Sequence, residues 1–168
     1  MITLPNPLHP AIVHFPIVLI MLGSIVAVVA VIFPRRQLKW LAAGWLSVAA
    51  VAAIGATWSG GDQADRLGDI SDRVEALVEQ HEEWGDNTRN LALGAAILAV
   101  AGASLGRFPR VSRGLGVVTV LVALAAAYAV AETGHYGGQL VYQHGVGIKP
   151  AAGNKSGAPA GVVPRAGE

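Results

Sequence analysis

Five histidines carry most of the chemistry this chain can offer, and its hydropathy pattern puts them on one side of a membrane. His9 and His14 stand at the mouth of a first apolar segment. His81 precedes a third, and His135 and His144 follow a fourth. Imidazole ligates metal ions and haem iron and titrates near neutral pH. There is no cysteine, so disulfides, thiolate-ligated iron–sulfur clusters, covalent c-type haem and cysteine nucleophiles are excluded. A metal site here must use His, carboxylate, Tyr or backbone oxygen. No Ser-His-Asp set can be assembled, and the His-Glu-x-x-His helix of zinc hydrolases is absent. An independent catalytic activity is therefore not expected.

The histidines differ in promise. His9 and His14 are five residues apart, so on a regular helix they point about 140° from each other. His14 lies one turn inside an apolar segment, where an ionisable side chain faces the bundle interior by default. It is the stronger ligand candidate and His9 the weaker. His81 shares a helical stripe with Leu67, Ile70, Val74, Leu77 and Trp84, a place where a merely solvated histidine is not expected. His144 follows the apolar run Leu140-Val141-Tyr142 and can turn inward, whereas His135 has less to recommend it. For each, the plain alternative is a structural histidine bonded to a neighbouring helix or to water.

Positioning these side chains falls to apolar helices. The chain has 168 residues, 53% hydrophobic and 14% charged, too apolar for an ordinary soluble domain. The expected fold is all-α, with four antiparallel transmembrane helices over about 11–33, 40–58, 91–105 and 114–131. The first is long enough to cross roughly 30 Å of hydrocarbon. The third is short and needs a thinned bilayer or shielding by neighbours. An amphipathic helix over about 62–84, started by Asp62 after Gly60 and Gly61, lies on the surface or runs on into the third span. Its polar faces carry residues such as Asp65, Asp69 and Glu79. Gly137-Gly138 is expected to end or kink the fourth helix. Pro16 is expected to loosen the first turns, since it cannot bond the Ile12 carbonyl. Pairs of small residues such as Gly23 and Ala27 allow close helix approach and also leave room for a flat cofactor. The segment 1–149 forms the domain, and 150–168 is a Pro/Gly/Ala-rich extended tail. No internal repeat is strong enough to use.

Loop charge sets the orientation. Arg35, Arg36 and Lys39 follow the first span; Arg107, Arg110 and Arg113 follow the third. Neither loop holds an acid. Both belong in the cytoplasm by the positive-inside rule. Ser59 to Asn90 holds nine acids and belongs outside, with both termini. In a bacterium that makes a multi-pass inner-membrane protein with periplasmic histidines. A net charge of +1 and scattered cations argue against a nucleic-acid partner.

Together, His9-Pro-Ala-Ile-Val-His14-Phe-Pro-Ile, the lone His81 ahead of the third span, and Gly137-Gly-Gln-Leu-Val-Tyr-Gln-His144-Gly-Val-Gly resemble a bacterial family of small membrane proteins, domain-of-unknown-function family 2231. The resemblance covers Leu8 to about Ile148. It implies a four-helix inner-membrane bundle with its histidines near one face. The family is suspected of binding haem or another redox metal, and some relatives occur beside cytochromes. His14, His81 and His144 match its histidines best.

The leading expectation is a membrane redox protein. Imidazoles from different helices would ligate haem b iron, or else copper or non-haem iron, with His14 and His81 or His144 as ligands. Trp58, Trp84 and Tyr142 would wall the site. The competing expectation is an accessory subunit that packs against a larger respiratory or photosynthetic complex in the lipid bilayer and binds lipid or pigment, its histidines structural or ligands of a pigment metal. A transporter is weaker, because no charge lies mid-span.

Overall fold

The structure is a computed structural model that describes residues 8–68 and 70–148. The expected tail from 150 onward and the expected surface position of Asp69 lie outside the described residues. Among the described residues 85% are helical and none forms a strand, which agrees with the all-α expectation. The helices are α1 (His9–Ile12), α2 (His14–Ile32), α3 (Arg36–Ala64), α4 (Asp72–Ser104) and α5 (Pro109–Tyr142). Three stretches, His9–Ile32, Arg36–Ala64 and Pro109–Tyr142, are long and apolar enough to cross a membrane. α4 falls outside that group because its first half is strongly charged.

The break between α1 and α2 is one residue, Val13, whose φ and ψ remain helical. It sits where Pro16 withholds a hydrogen bond from Ile12, and the Ile17 N–H reaches Val13 O at a long 3.3 Å. The expected loosening is there, but it does not redirect the chain.

Two expected boundaries are corrected. The amphipathic helix does not start at Asp62. α3 runs through Gly60 and Gly61 to Ala64, and Asp62 pairs instead with Arg66 at 2.9 Å on the outside of its last turn. The next helix starts at Asp72 after an extended Ser71 (ψ 150°) and continues unbroken into the third apolar run. Likewise Gly137-Gly138 does not end α5, which continues to Tyr142. A glycine inside a helix costs only about 1 kcal/mol relative to alanine, and packing against a neighbour offsets that. The turn that does end α5 uses Gly145 (φ 67°) and Gly147 (φ 79°), a left-handed backbone that side chains with a Cβ resist. Within it the Val146 N–H bonds back to Leu140 O at 3.0 Å.

α2 packs against α3 and α5, and α4 packs against α3 and α5. The interior is built mainly of alanine: Ala49, Ala95, Ala123 and Ala129 are fully buried, and Ile20 and Leu46 are its largest members. Phe15, Ile25, Val51, Ile97 and Leu121 face outward. Small residues inside and large apolar ones outside suit helices solvated by lipid, where close backbone approach replaces a hydrophobic driving force. Gly23 shows how close: a Cβ there would lie 2.9 Å from Leu46 Cδ2. The Ser24 hydroxyl, buried, contacts the Ile20 and Ala123 carbonyls at 2.8 and 2.9 Å and ties α2 to α5.

The structure also reveals a repeat that the sequence hides. Phe-Pro-Arg occurs at Phe33-Pro34-Arg35, between α2 and α3, and again at Phe108-Pro109-Arg110, where α5 begins at Pro109. Phe33 (φ −114°, ψ 83°) and Phe108 (φ −112°, ψ 85°) share one conformation. Each hairpin opens toward a histidine, His9 or His81, and closes on a Gly-Gly pair, Gly60-Gly61 or Gly137-Gly138. Two similar hairpins therefore pack together, with their histidine ends on one side and their basic turns on the other.

Candidate functional site

At the histidine end each hairpin lays an imidazole on its own glycine. A Cβ on Gly60 would come 3.1 Å from His9 Cε1, and one on Gly137 would come 3.0 Å from His81 Cε1. The glycines that the sequence marks as helix breakers make room for the Cε1 side of each ring. The two rings meet edge to face, with centroids 6.1 Å apart and planes at 87°.

Hydrogen bonding fixes the ring nitrogens. His81 Nδ1 lies 2.9 Å from the Thr133 carbonyl oxygen, which can only accept, so Nδ1–H donates. His9 Nδ1 lies 3.0 Å from Ser59 Oγ. The single Ser59 proton goes to Ala56 O at 2.9 Å, so here too Nδ1–H donates. With Nδ1–H so engaged, the uncharged form of each ring carries its lone pair on Nε2. An Nδ1–H tethered to an oxygen is how metal-ligating histidines are commonly oriented. The second tether is itself held, since Thr133 Oγ1 donates to Ala129 O at 2.8 Å and contacts Thr88 Oγ1 at 3.2 Å.

The other candidates stand apart from this pair. His14 is exposed, one strip around the helix from His9, as their spacing requires. His135 is exposed and accepts from the Gln139 side-chain amide at 2.8 Å. His144 is half-buried, and its Nε2 is buried without a partner among the described residues, as is Gln63 Oε1. The cap carrying His144 lies over the end of α3: a Cβ on Gly147 would be 3.7 Å from Gln63 Nε2. Trp84 packs edge to face on Tyr128 with centroids 5.9 Å apart. Tyr142 and Trp58 are 87% and 73% exposed, positions that suit an aromatic belt at the interface. Among the described residues no three His, Cys, Asp or Glu side chains converge on a common point. The arrangement is a pair of imidazoles, a donor set suited to copper, iron or zinc.

Reading residue types one at a time missed Gly60, Gly137, Ser59 and Thr133. The available signal was a Gly-Gly pair inside each of two otherwise long helical runs.

A family model described as a predicted membrane protein, DUF2231, matches residues 5–150. This is most of the chain, and the chain belongs to that family. No match was found among curated proteins or among solved structures.

Proposed function

We propose that this member of the DUF2231 family crosses the bacterial inner membrane four times, as two antiparallel hairpins, and holds a redox metal ion between His9 and His81 on the periplasmic side. The observation that carries the metal reading is the pair itself: two imidazoles from two hairpins, in contact, each tethered at Nδ1 and free at Nε2. Four crossings are supported by the contact registers, which pair Leu19 with Trp45, Thr88 with Thr133, and Gly102 with Ser112. The orientation rests on the segregation of cations and acids.

A single copper or iron ion suits the pair better than haem b. The rings meet edge to face and each rests against a helix glycine, which leaves space for an ion, whereas a macrocycle requires the helices that carry His9 and His81 to part. Bound there, such an ion would supply one-electron exchange. The protein's part is to fix the two rings, keep both lone pairs available and place acids around the mouth. His144, with its own unpartnered Nε2, is one candidate for a further ligand from the cap, and water is the other.

The test is metal analysis with absorption spectra of the detergent-purified protein, oxidised and after dithionite. About one copper or iron per chain is expected, lost in His9→Ala and in His81→Ala but kept in His14→Ala and His135→Ala. A Soret band would make the ion haem iron. Protein that carries no metal and takes up neither copper nor iron on titration overturns the reading and leaves a non-catalytic accessory subunit, to be sought by copurification with a larger complex.

A further inference from the structure

The opposite end of the two hairpins carries a second paired site. Lys39 of α3 and Arg113 of α5 follow the two Phe-Pro-Arg turns at nearly equivalent positions. Both line a half-open cavity of about 40 Å³, to which all four long helices contribute. At roughly 10–15 Å³ per water that is room for about three waters, comparable to a phosphoryl head. Lys39 Nζ donates to Ser112 Oγ at 2.7 Å, and Ser112 passes its own proton to Gly102 O at 2.6 Å. Ser112 is 1% exposed, so the bond anchors the ammonium at the cavity wall. Two Lys39 protons, and all of the Arg113 guanidinium, have no protein partner among the described residues.

No carboxylate answers them. The sequence has no Asp or Glu in 1–61 or in 87–131, which covers every described residue at this end. Arg35, Arg36, Arg107 and Arg110 stand nearby and add to an uncompensated positive field. Two unpaired cations at a built cavity call for an anion, and basic pockets between helices on the cytoplasmic side suit lipid phosphates. Ile32, Phe33 and Val117, on the two elements beside the mouth, are 62%, 51% and 44% exposed and offer acyl chains an apolar track.

We propose that Lys39, Arg113 and Ser112 form a site for a phosphoryl oxyanion, supplied by the headgroup of an anionic phospholipid. Lys39 and Arg113 bind its oxygens, Ser112 holds Lys39 in place, and the lipid tails run along α2 and α5. The site is independent of any metal at the far end.

The test uses the full chain, delipidated in detergent, with unfolding followed by tryptophan fluorescence. Phosphatidylglycerol, phosphatidylcholine and inorganic phosphate are added separately at equal concentration. Phosphatidylglycerol is expected to raise Tm by a few degrees. Lys39→Gln and Arg113→Gln should remove the shift, and Arg36→Gln should keep it. Arg113→Gln guards against misfolding, since that side chain is exposed and makes no bond the fold needs. A shift given equally by inorganic phosphate, and lost in the same variants, keeps the site and makes its occupant free phosphate. A shift given equally by phosphatidylcholine, or retained in both cavity variants, or absent throughout, overturns the proposal.

Discussion

The first hairpin lies almost wholly in apolar sequence, while the second begins in a run of acids, yet both seat an imidazole in the same way. His9 sits at the very start of its helix and is tethered by a side chain, Ser59 Oγ. His81 sits nine residues into α4 and is tethered by backbone, Thr133 O. The surroundings differ; the glycine under each ring does not. Placement of the rings therefore depends on the backbone surface they rest on, not on the polarity of the helix that carries them. The difference matters for robustness, because a point substitution can remove the tether of the first hairpin and cannot remove that of the second.

The largest expected effect tests whether the hairpins act as a pair. His9→Ala and His81→Ala should each abolish metal binding outright, as measured by metal content after dialysis; retention of a full equivalent by either variant would break the equivalence. Next comes the tether. Ser59→Ala should weaken metal affinity about 10–100-fold, the usual cost of losing an outer hydrogen-bond partner, as read by competition with a chelator. Gly137→Ala, which puts a Cβ 3.0 Å from His81 Cε1, should do similar damage in the second hairpin, where no side-chain tether exists to remove. At the basic end, Ser112→Val strips partners from the Lys39 ammonium and the Gly102 carbonyl. It should cost about 1–3 kcal/mol of stability in detergent unfolding and leave metal binding unchanged. The smallest effect is a gain. A Cβ on Gly61 or on Gly138 meets nothing within 4 Å, so alanine at either should stabilise by about 0.5–1 kcal/mol. A loss there would mean that the second glycine of each pair also has a contact to protect.

Much of the fold was legible in one dimension, because an uncharged apolar run reports its solvent directly. The span at Trp40 to Trp58 falls inside α3, and Ala11 to Phe33 covers the end of α1 and the whole of α2. Helix ends were less legible. Gly60-Gly61 and Gly137-Gly138 read as punctuation, since local propensity contains no term for an imidazole packed against the backbone. His9 and His14 show the same limit from another side. Depth in an apolar run favoured His14, but depth does not tell a lipid-facing strip from an inward one. The phase of the helix decides that, and contacts with α3 set the phase. The Phe-Pro-Arg repeat escaped notice because three residues are too few to stand out until Phe33 and Phe108 prove to share one backbone conformation.

α4 is a rod of 33 residues, about 50 Å at about 1.5 Å per residue. Its apolar run covers little more than about 22 Å of that length, against roughly 30 Å of hydrocarbon. A bilayer relieves such a mismatch by thinning or by tilting the rod. A tilt of about 2° carries the end of a rod this long roughly 2 Å sideways, and His81 rides toward that end. If α4 crosses the bilayer as proposed, membrane thickness would act as a mechanical input to the gap between the two imidazoles, transmitted along one stiff helix without a ligand or a moving loop.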